Sequence, residues 1–269
     1  MLDIFSSADA WVALLTLTFL EIVLGIDNII FISLASSKLR PENRKKAVNI
    51  GLILAMVMRI ALLFGITVLV AMEAPFWHIN QSWIQAGISG QALILFAGGI
   101  FLLYKSVHEI HEKVDLTGEE EAEVKSKSST TLKKAVLQIT LINVVFSFDS
   151  ILTAVGMTNG LSDNPNDALI LMIVAVVISV LIMMLFANPV GDFVNKHPSL
   201  QILGLAFLIL IGFMLIAEAA HLAHLKIFNS EVGTIPKGYL YFTIAFSLFL
   251  EFLNFKLRKK QHIEEDTVA

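Results

Sequence analysis

A chain of 269 residues that is 56% hydrophobic and only 16% charged, with a mean hydropathy of +0.77, does not have the composition of a water-soluble domain. The formal net charge of −4 excludes little, because the charges gather in loops and tails, where their position says more than their balance. The absence of cysteine rules out a disulfide framework and a thiolate metal site.

Seven stretches approach or exceed the length of about 20 mostly apolar residues that a spanning helix needs. In chain order they are residues 10–34, 50–71, 91–107, 132–157, 168–187, 200–220 and 238–255. Each is expected to be helical, because lipid offers backbone N–H and C=O groups no partner outside the segment itself. The first stretch has no basic leader and is interrupted by Glu21 and Asp27, so it reads as a permanent helix rather than a cleaved signal.

The basic residues set an orientation. Lys38, Arg40, Arg44, Lys45 and Lys46 follow the first stretch, and Lys105, Lys113, Lys125, Lys127, Lys133 and Lys134 gather around the end of the third. Lys196 follows the fifth, and Lys256, Arg258, Lys259 and Lys260 follow the seventh, whereas the other side carries only Lys226 and Lys237. Seven spans put these groups on alternating sides without conflict, with the N-terminus outside and the C-terminus cytoplasmic.

The chain also repeats itself. Thr18-Phe19-Leu20-Glu21-Ile22-Val23-Leu24-Gly25-Ile26-Asp27-Asn28-Ile29 recurs 122 positions later as Thr140-Leu141-Ile142-Asn143-Val144-Val145-Phe146-Ser147-Phe148-Asp149-Ser150-Ile151. Three helices separate the two starts, so the second copy enters the membrane the other way up. The expected fold is an all-α integral membrane protein: seven transmembrane helices, as two inverted three-helix repeats plus a C-terminal seventh helix. Residues 1–111 form the first repeat, 112–131 a cytoplasmic polar linker, 132–225 the second repeat, and 226–269 the seventh helix and its tail. The linker holds Glu119-Glu120-Glu121-Ala122-Glu123 and reads as a solvated segment.

An acidic side chain inside a span costs roughly 2.5–3.5 kcal/mol on insertion scales, so its presence calls for a role. On an ideal helix Thr18, Glu21, Gly25 and Asn28 fall within an arc of about 80°, as do Thr140, Asn143, Ser147 and Ser150. Asp27 and Asp149 lie on the shoulder of that stripe. Carboxylate, amide and hydroxyl oxygens without thiol or imidazole suit hard or borderline divalent cations such as Mg²⁺, Ca²⁺ or Mn²⁺. The candidate metal ligands are therefore Asp27, Asp149, Asn28, Ser150, Glu21 and Asn143. Their bland alternative is interhelical hydrogen bonding, or pairing of the acids with Arg59.

Arg59 is the one arginine within a span, and its place in the fifth helix, near Ser179, holds no charge. It pairs with Glu21 or Asp27 either as a gate or as a permanent brace. Glu218 is a further candidate, as are Glu251 and Asn188; Asp192 reads as shaping the turn after the fifth helix. His108 and His111, like His221 and His224, have the i, i+3 spacing that can chelate a metal, although helix-end histidines commonly cap or meet headgroups. No Walker-type loop, nucleophile elbow or zincin signature is present, so an enzyme is not expected.

These motifs resemble the TerC family of integral membrane proteins, in particular its short YgdQ-like branch. The residues that carry the likeness are Glu21-Ile22-Val23-Leu24-Gly25-Ile26-Asp27-Asn28-Ile29-Ile30-Phe31 and Val145-Phe146-Ser147-Phe148-Asp149-Ser150-Ile151, with Ala55-Met56-Val57-Met58-Arg59 and Gly191-Asp192-Phe193-Val194 in support. The resemblance implies a seven-helix bacterial inner-membrane protein and, for several members, export of Mn²⁺ from the cytoplasm. Many relatives carry an acid where this chain has Asn143. The leading reading is thus efflux of a divalent metal ion, Mn²⁺ first, with the bilayer as its surroundings. The rival readings are a transporter of Ca²⁺, Mg²⁺ or another solute, and a non-transporting assembly or stress-response factor that binds a partner through its linker.

Overall fold

The computed structural model describes residues 5, 7–37, 39–65, 68, 71–115, 131–158 and 165–268. Among them are seven long helices: α1 (Ala8–Ser37), α2 (Pro41–Phe64), α3 (Gly90–Asp115), α4 (Leu132–Thr158), α5 (Pro165–Asn195), α6 (Pro198–Leu222) and α7 (Lys237–Val268). Five of them, α2 to α6, are long and apolar enough to cross a membrane by length and composition. The acidic part of the expected linker, 119–123, lies outside the described residues, as do the side chains of Asp27, Asn28 and Asp149, although their backbones are helical.

The bundle has an apolar exterior as well as an apolar core, with a set of polar side chains buried inside. Phe19, Leu54, Phe96, Leu185, Phe213, Phe242 and Phe249 are exposed, while Thr18, Glu21, Arg59, Thr140, Asn143, Ser147, Ser150 and Ser179 are buried. In water such an exterior would be one long adhesive patch. Against acyl chains it costs nothing, and the polar groups instead serve helix contact inside.

The principal helix pairs are α3 with α6, α1 with α5, α2 with α4, α2 with α5, and α1 with α4. Exchanging α1 with α4, α2 with α5 and α3 with α6 maps this set of pairs onto itself. Glycines bring the backbones close. A Cβ on Gly99 of α3 would stand 2.7 Å from the Gly212 carbonyl of α6, and one on Gly212 would stand 3.0 Å from the Gly99 carbonyl. Gly51 of α2 packs on Ile139 of α4, and Gly191 of α5 on Ser33 of α1, whose hydroxyl donates to the Gly191 carbonyl at 3.1 Å. α7 leans on α6 at the periphery, with Leu240 its buried contact.

Contacts at the two ends of the bundle agree on which termini lie together. At one end Leu39 and Ala47 cluster with Ala135 of α4. At that end Arg44 also closes the α1–α2 turn onto the carbonyls of Ser37 and Leu39, at 3.0 and 3.1 Å, and Lys113 of α3 hydrogen-bonds Gln201 of α6. At the other end Lys237, opening α7, donates to Thr153 of α4 at 3.1 Å.

That second end also carries a four-stranded antiparallel sheet that hydropathy did not anticipate: β1 (Pro75–Asn80), β2 (Ile84–Ser89), β3 (Lys226–Ile227) and β4 (Ser230–Glu231), paired in that order. The connection between α2 and α3 thus pairs with the connection between α6 and α7. Phe228 and Asn229, with φ of 48° and 63°, form the tight turn between β3 and β4, where two left-handed residues match the strand twist.

Helix ends also depart from the apolar stretches. The second helix, expected over 50–71, begins at Pro41 and stops at Phe64, where the Gly65 N–H bonds back to Ala61 O at 3.1 Å. Pro41 sits at its first turn, where a missing N–H costs nothing, and Glu42 follows it. Hydropathy finds the apolar length of a helix, whereas Pro41 and Gly65 mark the ends of this one. Asp192, expected to shape the turn after the fifth helix, is instead inside α5, which runs through Pro189 to Asn195; the turn is at Lys196–His197.

Candidate functional site

The polar stripe is the inner seam of the bundle. On α1, Thr18 and Glu21 are buried, with Gly25 one turn on; on α4, Thr140, Asn143, Ser147 and Ser150 are all buried. α1 and α4 pack against each other, so the two copies of the motif share one interior. The α4 members turn their donors onto their own helix. Thr140 donates to Val136 O at 2.9 Å, Asn143 Nδ2 to Ile139 O at 2.9 Å, Ser147 to Asn143 O at 2.5 Å and Ser150 to Ser147 O at 3.1 Å. Such back-bonding satisfies the hydroxyl protons and leaves oxygen lone pairs for the bundle.

Arg59 reaches into this seam from α2. Its Nη1 lies 2.5 Å from Glu21 Oε2, and its Nη2 donates to the Ser150 hydroxyl. The guanidinium therefore ties α1, α2 and α4 together; Glu21 is one of the two acids expected as its partner, and the side chain of the other, Asp27, lies outside the described residues. Both charges are buried, at 10% and 5% side-chain exposure, so each is sustained by the other. Among the described residues Arg59 Nε and Thr18 Oγ1 are buried without a hydrogen-bond partner. Beside Glu21 is a cavity whose other lining is apolar, including Leu17, Leu63, Ile151, Met172 and Val176. It lies on the sheet-bearing half of the bundle.

The remaining candidates lie apart. Glu218 is half-buried in α6. His108 is exposed on α3, 3.3 Å from Glu112 and stacked on Tyr104, and His111 is exposed beyond it. His221 and His224 are at the opposite end, with rings 6.5 Å apart and His224 Nδ1 3.6 Å from Glu231. Among the described residues no three His, Asp or Glu side chains come close enough to hold a metal ion. Glu251 is half-buried on α7, 3.4 Å from Asn254 Nδ2, and Asn188 is half-buried late in α5.

One buried charge escaped sequence reasoning. Glu109 is 5% exposed and pairs with Lys105 at 2.6 Å along α3. Its i, i+4 spacing looks like a surface pair; only its burial against the bundle sets it apart.

Residues 6–262 match the model of the integral membrane protein TerC family. The chain belongs to the TerC family. The UPF0053 inner membrane protein YgdQ of Escherichia coli K12 is 46% identical over 252 residues, covering 94% of this chain and 95% of that one. A UPF0053 protein of Haemophilus influenzae is 41% identical over 260 residues, 96% and 99% of the two chains. The longer UPF0053 inner membrane protein YoaE of Escherichia coli K12 is 40% identical over 244 residues, which is 91% of this chain and 42% of YoaE. No solved structure matches. This TerC protein is an integral protein of the inner membrane.

Proposed function

We propose that this TerC protein exports a divalent metal ion, Mn²⁺ first, by alternating access of two inverted three-helix repeats, with α7 appended and the C-terminus in the cytoplasm. The observation that carries the reading is the duplicated stripe of oxygen-bearing side chains buried on both α1 and α4 beneath an apolar exterior. A membrane protein that only needed to pack has no use for a carboxylate at such depth. The self-mapping set of helix pairs supports the inverted repeat. The sheet joining the α2–α3 and α6–α7 connections supports an even number of crossings between them. Repeats that rock around a midplane site are a recurrent transporter design.

In this reading Asp27 and Asp149 are the principal ligands, and Asn28, Ser150, Glu21 and Asn143 complete or tune the shell. All are hard oxygen or amide donors, as Mn²⁺, Mg²⁺ and Ca²⁺ require. The chain performs no covalent chemistry. Metal accumulation in cells lacking their exporters tests the assignment, comparing the native chain with Asp27→Asn and Asp149→Asn. The native chain lowers intracellular Mn²⁺ and each variant does not; equal lowering by all three refutes the ligand roles. Uptake by proteoliposomes given Mn²⁺, Mg²⁺ or Ca²⁺ separates the cargoes.

A further inference from the structure

We propose that Arg59 is a tethered substitute for the transported cation: in the metal-free protein its guanidinium holds Glu21 and Ser150, and a divalent ion must displace it. This rests on the transport reading above and specifies how the emptied site is neutralised for its return.

Three observations carry it. The guanidinium is anchored to oxygens of both halves, Glu21 on α1 and Ser150 on α4, both members of the duplicated stripe. Among the described residues its buried Nε has no hydrogen-bond partner, and neither has Thr18 Oγ1, one turn from Glu21. A group retained purely as a brace gains from having every donor satisfied.

The second half, moreover, is built without charge at the same places. Asn143 stands where Glu21 does and Ser179 near where Arg59 does; both are buried, and both turn their donors to their own helices, to Ile139 O and Val176 O at 2.9 Å each. Packing at these depths is therefore met by neutral residues. Replacing a buried ion pair with well-packed uncharged residues is often neutral or stabilising, so bracing alone gives no reason to keep Arg59 and Glu21.

On the half away from the cavity, Gly51 packs closely on Ile139 and Gly191 on Ser33. The cavity beside Glu21 lies on the other half, and its remaining lining is apolar. Without Arg59, Glu21 would face that lining as an unpaired carboxylate; the guanidinium supplies the positive charge.

The test uses the full chain, purified and reconstituted, with Mn²⁺ alone as probe, and compares it with Arg59→Gln and Arg59→Lys. Mn²⁺ binding is followed by electron paramagnetic resonance, and liposomes report both net flux and exchange of labelled against unlabelled Mn²⁺. Removing the competitor in Arg59→Gln tightens Mn²⁺ binding by about tenfold or more, since the tax of the occupied state is lifted. Net flux falls by a comparable factor, because the empty site no longer returns neutralised, while exchange continues. Arg59→Lys, a shorter and monodentate cation, shifts both in the same direction by a smaller factor.

Unchanged or weaker binding in folded Arg59→Gln, or net flux and exchange falling together, overturns the proposal. Should Arg59→Gln fail to fold, Arg59→Lys decides on the same criterion, tighter binding supporting and unchanged or weaker binding overturning. If the unaltered protein neither binds nor exchanges Mn²⁺, the transport reading itself has failed, which is distinguishable from native transport with unaltered variants.

Discussion

The Gly99–Gly212 crossing gives a prediction whose size can be worked from the structure. In Gly99→Ala the new methyl carbon would stand 2.7 Å from the Gly212 carbonyl oxygen and 2.7 Å from Ile216 Cγ1. Carbon–oxygen contacts between helices settle at about 3.3–3.6 Å, so α3 and α6 must part by about 0.6 Å or more along their contact. The obstacle is backbone, which cannot rotate away. Overpacking of this kind costs roughly 1–3 kcal/mol. The gain in helix propensity from Gly to Ala, about 1 kcal/mol, offsets part of it, leaving about 0–2 kcal/mol of net destabilisation; Gly156→Ala makes the same gain, so the two variants should differ by the full overpacking cost. Gly212→Ala meets Gly99 O and Leu103 at 3.0 Å, and the leucine can yield, so its cost is smaller. Gly156→Ala, at an exposed position of α4, meets nothing within 4 Å and should be neutral or slightly stabilising. Unfolding of the detergent-solubilised protein, titrated with a denaturing detergent and followed by tryptophan fluorescence, should rank the variants in that order. Equal stability of Gly99→Ala and Gly156→Ala would refute the close crossing of α3 and α6.

Two further outcomes follow from the site and the ends of the bundle. Glu21→Gln and Arg59→Gln should each destabilise by about 3–5 kcal/mol, because each strands a buried charge, while the double variant should lose far less than their sum; additive losses in a double-mutant cycle would show that the pair is not coupled. Because the chain has no cysteine, Asn80→Cys in β1 and Ser129→Cys in the linker can each be labelled alone. A membrane-impermeant maleimide applied from the outside should reach Asn80→Cys directly and Ser129→Cys only after lysis. The reverse pattern would invert the orientation drawn from the basic residues.

The sequence was most legible where one strong physical constraint acts alone. Lipid punishes an unpaired backbone, so apolar runs became helices; it also punishes isolated polarity, so the stripe of Thr18, Glu21, Thr140, Asn143, Ser147 and Ser150 is buried. Legibility failed where weaker local terms decide. Pro41 and Glu42 start α2 in polar sequence that a hydropathy window discards. The strands from Pro75 and Ile84 lie between the apolar stretches, where hydropathy says nothing and pairing with Lys226–Ile227 is set by the third dimension. Pro189 suggests a break, yet α5 continues while Ser33 holds the Gly191 carbonyl from α1.

The pairing of Glu21 with Arg59 was illegible for a different reason, and that reason bears on function. Periodicity alone does not say how α1 is rotated against α2, and so does not say that Glu21 faces Arg59. The structure rotates Glu21 into the α1–α2–α4 seam, and Arg59 meets it there. Among the described residues the two copies of the stripe thus differ at their centre: a charge pair on one side, and Asn143 with Ser179 on the other. The pair sums to no net charge, so the asymmetry leaves the resting electrostatics of the seam nearly as they are in the neutral half. It changes only what happens when the pair separates, because then one carboxylate and one guanidinium become available to something else. An arrangement that is electrostatically silent when closed and charged when opened contributes little to a static fold. It has consequences only in a protein that opens.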